Sequence, residues 1–96
     1  MSFFEDVINK VWDKAKVVGG NDSSIWRKDE CGAWIDRSFY GSRDSQYGCG
    51  IDHITPESRG GRDSLYNLRP LQWQNNASKQ DDKLVCHVTA SRRDNF

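Results

Sequence analysis

Long apolar runs are missing from this 96-residue chain. Nothing in it approaches the roughly 20 apolar residues that a bilayer-spanning helix requires. The one apolar stretch near the start is interrupted by Glu5 and Asp6, so no cleaved secretion signal is expected. Net charge is missing too: 14 Lys and Arg balance 14 Asp and Glu, which argues against binding nucleic acid with the whole surface. The three cysteines, Cys31, Cys49 and Cys86, are odd in number and unpatterned. They do not read as a disulfide framework, and reduced thiols in the cytoplasm are the expectation. Secretion by a route without a cleaved signal stays open, as does a phage-associated setting. No internal repeat or low-complexity tract appears. The length implies one small domain, residues 1–96, near the size at which a single core becomes marginal.

What the chain does have is aromatic side chains: four Trp, three Tyr and four Phe. Each buries a large area, so a small core can close around them. Residues 1–20 have the pattern of an amphipathic helix, with Phe4, Val7, Ile8, Val11, Ala15 and Val18 at helical spacing and Trp12 beside them. Ser2 and Glu5 fit a capping box, and Gly19-Gly20 a stop. Ala33 to Ile35 has the composition of a short strand, and "YGSRDSQYG" that of a loop.

From Cys49 to Gln80 the pattern sharpens. "CGIDHI" predicts a short strand, "ESRGGRDSLYN" a polar loop, "NLRPL" a second strand and "QWQNNASKQDD" a helix apolar at Trp73 and Ala77. Between Ile54 and Gln80, Arg59, Arg62, Arg69 and Lys79 face only Glu57 and Asp63, a local charge of plus two. Residues 84–96 follow as a C-terminal extension. The expected fold class is therefore small α+β.

The run "IDHITPESRGGRDSLYNLRPLQWQNNASK", Ile51 to Lys79, resembles the HNH nuclease family. It carries Asp-His with a proline soon after, a double glycine, Asn-Leu, and a final Asn before a lysine. The signature positions are His53, Asn67 and Asn76. The resemblance implies a ββα-metal finger over residues 49–80 and a metal-dependent endonuclease acting on DNA, with RNA not excluded. Oligomeric state stays open.

The chemistry of phosphodiester hydrolysis gives these residue types a reason. The scissile phosphate is anionic, so a catalyst must neutralise it, activate water and stabilise the departing oxygen. Asp52 and Asn76 offer oxygen donors, which favour Mg²⁺ or Mn²⁺, and the resemblance assigns metal binding to both. His53 is the expected general base, since an imidazole with an ordinary pKa near ~6.5 is largely neutral at physiological pH. Neighbours on a regular strand point to opposite faces, so the strand should twist or end at Asp52-His53. The resemblance makes Asn67 a brace for the loop that carries His53. Arg59, Arg62, Arg69 and Lys79 are expected phosphate contacts, with Lys79 on the same helix face as Asn76. Many family members also hold structural zinc with two CxxC pairs. The matching positions here are Cys31, Trp34, Gln72 and Asn75, so no structural zinc is expected, and Trp34 and Trp73 are read as an apolar replacement. Two other readings compete with the enzyme: a catalytically idle nucleic-acid-binding module, and an interaction protein that keeps the finger as a scaffold.

Overall fold

A computed structural model describes residues 3–80, 82–92, 94 and 95. It is α+β: helix α1 (Glu5–Trp12), strands β1 (Trp26–Lys28) and β2 (Trp34–Asp36), β3 (Cys49–His53) and β4 (Leu68–Gln72), helix α2 (Trp73–Ala77), and strands β5 (Ala90–Ser91) and β6 (Asp94–Asn95). The strands form three separate two-stranded antiparallel ribbons, β1-β2, β3-β4 and β5-β6. A two-stranded ribbon is marginal alone in water, so each depends on what packs against it. Among the described residues no helix is long and apolar enough to cross a membrane.

The N-terminal helix is shorter than its pattern implies. Ile8, Val11 and Trp12 are buried as expected, but Phe4 is 84% exposed and is itself the N-cap, without a side-chain cap. The capping residue expected at Ser2 lies outside the described residues. After Trp12 the chain tightens, with Lys14 and Ala15 N–H groups donating to the carbonyls of Val11 and Trp12. Lys16 then exchanges two backbone hydrogen bonds with Lys28. This pairing, and burial of Ala15 against Trp12, Ile35 and Cys49, outcompete continuation of the helix through β-branched Val17 and Val18.

Helix α2 also departs from expectation. It ends at Ala77, with Ser78 as its C-cap, so Lys79 lies beyond the helix. Its buried residue is Asn75, while Trp73 is half-buried and Ala77 exposed. Gln72 caps its start, the side-chain oxygen accepting from the N–H groups of Gln74 and Asn75.

Polar burial on this side of the molecule centres on Asp29. Its carboxylate accepts from the N–H groups of Cys31 and Ala33 (2.9 Å each) through Oδ1. Through Oδ2 it accepts from the Gln72 N–H (2.9 Å) and the Asn75 amide (3.1 Å). The Asn75 amide also donates to the Val88 carbonyl, and its oxygen accepts from the Val88 N–H. The expected apolar replacement for a zinc staple is thus corrected. Trp34 is buried, but the matching positions around it are joined by a carboxylate and two amides.

The cysteines are corrected as well. Cys31 and Cys86 form a disulfide across 55 residues of sequence, and only Cys49 is free. The pairing was invisible as a spacing pattern because it joins the β1-β2 turn to the C-terminal extension, which packs as part of the fold. Cys49 is buried in the core, and burial pushes its thiol up to about 12.

Two predictions follow from these staples. Asp29→Ala strands four donors, each costing about 1–3 kcal/mol when buried and unpaired, and should lower the urea midpoint severely; an unchanged midpoint would remove Asp29 from that role. Reduction with dithiothreitol should lower the thermal midpoint by the equivalent of about 4 kcal/mol, from loop-closure entropy. EDTA should leave that midpoint where it was, and a large drop would reveal a structural metal.

Candidate active site

Strands β3 and β4 pair in register, with Asp52 opposite Arg69 and His53 opposite Leu68. Strand β3 keeps both Asp52 and His53 in its paired register and ends at His53, and the loop beyond it is held by Asn67. The Asn67 side chain accepts from the Thr55 N–H (2.8 Å) and donates to the carbonyls of Thr55 (3.0 Å) and Arg62 (2.8 Å). Its own carbonyl accepts from the Ile54 N–H. Asn67 sits in a 3-10 turn, Leu65–Asn67, immediately before β4. These hydrogen bonds tie the loop after His53 to the turn before β4. The double glycine has a local cause: Gly60 ends a 3-10 turn at φ 87°, and a Cβ on Gly61 would fall 1.7 Å from the Thr55 carbonyl oxygen. Only glycine closes this loop without strain.

Asp52 is buried at 5% exposure, and both its oxygens are engaged. Oδ2 accepts from Arg69 Nε and Oδ1 from Lys79 Nζ, each at 2.8 Å. Lys79 Nζ also donates to the His53 carbonyl at 3.0 Å, and Arg69 reaches Glu30 at 3.0 Å. Arg69 and Lys79, expected as phosphate contacts, are therefore occupied by carboxylates of the protein itself. A buried carboxylate needs such partners, because removal from water penalises its charge by several kcal/mol.

His53 Nε2 lies 2.7 Å from Asp63 Oδ1, and the Phe3 ring stands 6.1 Å from the imidazole, centroid to centroid. An ionised carboxylate can only accept, so in this pairing Nε2–H is the donor and Nδ1 is the other ring nitrogen, turned away from Asp63. Asp63 lies in the polar loop between the two strands, and sequence gives it no role beyond its charge. It had no periodic signal, since a loop residue's direction depends on the turns around it.

Asn76 lies against Gly50, its amide nitrogen 3.6 Å from where a Gly50 Cβ would stand. Among the described residues its side chain makes no hydrogen bond. Gly50 and Asp52 alternate onto the same side of β3, so Asn76 and Asp52 share that side while His53 has partners of its own. Arg59 is exposed and paired with Asp82 at 2.9 Å. Arg62 is exposed, and only its backbone is used, by Asn67. His87 is exposed.

Among the described residues no group of three His, Cys, Asp or Glu side chains is placed to hold a metal ion. The donor chemistry nevertheless suits a hard cation. The Asp52 carboxylate and the His53 carbonyl together already seat one, the Lys79 ammonium, and hard cations take the same oxygen donors. No family model, curated protein or solved structure matches the chain.

Proposed function

We propose that the chain is a metal-dependent endonuclease of the HNH type that hydrolyses phosphodiester bonds in DNA. The observation that carries this reading is a buried Asp52 carboxylate, seated among cations, one residue from an imidazole anchored through Nε2. In this reading β3, β4 and α2 form the ββα-metal finger. Asp52 and Asn76 would hold Mg²⁺ or Mn²⁺, and the ion would supply neutralisation of the phosphate and of the departing oxygen.

The protein's own groups have distinct tasks. Asp63 fixes the tautomer and direction of His53, and a proton leaving water is taken at His53 Nδ1. Asn67 holds the loop so that this nitrogen keeps its place, a positioning role. Lys79 has two available anionic partners, Asp52 and an incoming phosphate. Movement of its ammonium from the first to the second would open Asp52 Oδ1 while adding a charge-assisted contact to substrate. Arg59 and Arg62, exposed on the loop beyond His53, can meet flanking phosphates.

A second reading has one observation in its favour. Arg69 and Lys79 already compensate Asp52, as expected of a nucleic-acid-binding module that needs no metal. The two readings part on metal binding and on turnover.

His53→Ala should cut relaxation of supercoiled plasmid by about 10²–10⁴-fold, the usual contribution of a general base, while DNA binding persists. Wild-type cleavage by this variant would eliminate His53 as the base. Lys79→Met should tighten Mn²⁺ binding several-fold when titrated calorimetrically without nucleic acid, because it uncovers Asp52 Oδ1. If neither protein binds Mn²⁺, the Asp52 ion pairs are structural and the metal-free reading prevails.

A further inference from the structure

Beside the site, on the far side of Arg69, lies a cleft of about 380 Å³. Lys14, Lys16, Lys28, Glu30, Ile54 and Arg69 line it. Two of these connect it to the chemistry: Ile54 follows His53, and Arg69 binds Asp52.

The charges in the cleft are unbalanced in a particular way. Lys16 and Lys28 are direct partners in an antiparallel bridge, with backbone hydrogen bonds of 2.8 and 2.9 Å running both ways. Like charges placed opposite across strands repel and destabilise the pairing. The neighbouring acids do not relieve this. Asp29 spends both oxygens inward on four donors, and Glu30 is taken by Arg69. Among the described residues no carboxylate lies within ion-pair distance of Lys14, Lys16 or Lys28.

The lysines are also held in place. Lys28 Nζ stands 4.7 Å from the Trp34 ring centroid, a cation–π contact that fixes the ammonium without neutralising it. Lys14 Nζ donates to the carbonyls of Leu65 and Leu68, just ahead of and within β4. Three lysines without a carboxylate partner among the described residues line one cleft, two of them with restrained ammonium groups, in a chain of zero net charge.

We infer that this cleft seats the sugar–phosphate backbone of a nucleic-acid strand flanking the bond to be cut, with Lys16 and Lys28 as its principal phosphate contacts. The inference rests on the nuclease reading for its ligand and adds a binding surface outside the ββα unit. The anion relieves the repulsion across the bridge, so binding and local stability reinforce each other. Base identity is not read here, because ammonium groups on phosphates position a strand without specifying sequence.

The test is binding of a short fluorescein-labelled DNA duplex to the full chain, followed by anisotropy across a salt series in EDTA. Each phosphate contact contributes about 0.9 to the slope of log K against log salt, so Lys16→Gln with Lys28→Gln should flatten that slope by about 2. Lys10→Gln with Lys83→Gln removes the same net charge elsewhere and should leave the slope at the wild-type value. Should the first pair fail to fold, the single variants, each expected to flatten the slope by about 1, decide the question. A wild-type slope in the Lys16 and Lys28 variants, with the wild-type protein binding normally, overturns this inference and leaves the nuclease reading standing. Equal flattening by the Lys10 and Lys83 variants also overturns it, since only total charge would then matter. Absence of DNA binding by the wild-type protein overturns both.

Discussion

The Asp29 carboxylate is the point on which the rest of the structure depends. It lies at the turn between β1 and β2, yet two of its four hydrogen bonds go to Gln72 and Asn75, at the junction of β4 and α2. Asn75 passes the connection on to Val88 in the C-terminal segment. One charged group thereby ties together three parts of the chain, none of which has enough apolar surface to stand alone. A carboxylate at 4% exposure is tolerable only because each oxygen accepts two donors. The Cys31–Cys86 bond, two residues from Asp29, closes the same junction covalently. Among the described residues no buried side-chain polar atom lacks a partner, so this part of the interior is a fully satisfied network, which rigidifies as well as stabilises.

A second buried carboxylate, Asp52, is handled differently. Asp29 faces neutral donors, mostly backbone, whereas Asp52 faces two cations. Backbone donors cannot move away without unfolding a turn. A lysine ammonium at the end of a flexible four-carbon stem can. The fold therefore contains one carboxylate whose partners are fixed and one with an exchangeable partner, and the exchangeable one stands beside the anchored histidine. That contrast sets the two carboxylates apart, Asp29 held by fixed donors and Asp52 by at least one partner that can move. Cys49 sits between the two regions, and burial keeps its thiol protonated well beyond neutral pH, so it takes no part in either.

The distribution of cations has a similar logic. Arg69 is held between Asp52 and Glu30, which places a rigid guanidinium as a wall between the carboxylate site and the lysine-lined cleft. The acids that balance the formal charge are largely turned inward or paired. A chain that is neutral in sum is still locally positive where Lys14, Lys16 and Lys28 line one cleft without a carboxylate partner among the described residues.

Much of this was legible in the order of residues. The short runs Cys49–His53 and Leu68–Gln72, set on either side of a polar glycine-containing loop, marked both strands, although their burial does not alternate residue by residue. The turn chemistry of Gly60-Gly61 is local and legible in the residues themselves, whereas the bracing amide of Asn67 was implied only by the resemblance, because its partner Thr55 lies 12 residues away. Helix ends, cysteine pairing and side-chain partners were not local. The first helix stops at Trp12 because Lys16 finds Lys28, a contact that periodicity within residues 1–20 cannot register. Lys79 lies past the end of α2 and reaches back to Asp52 rather than outward, and Cys31 meets Cys86 only after the C-terminal segment has packed. Sequence by itself determined which residues were candidates for chemistry and which positions turn the chain, since these are properties of individual side chains and short spacings. The tertiary structure alone decided which charges are spent on one another and which are left without an ion-pair partner, because pairing depends on distances that only the folded chain creates.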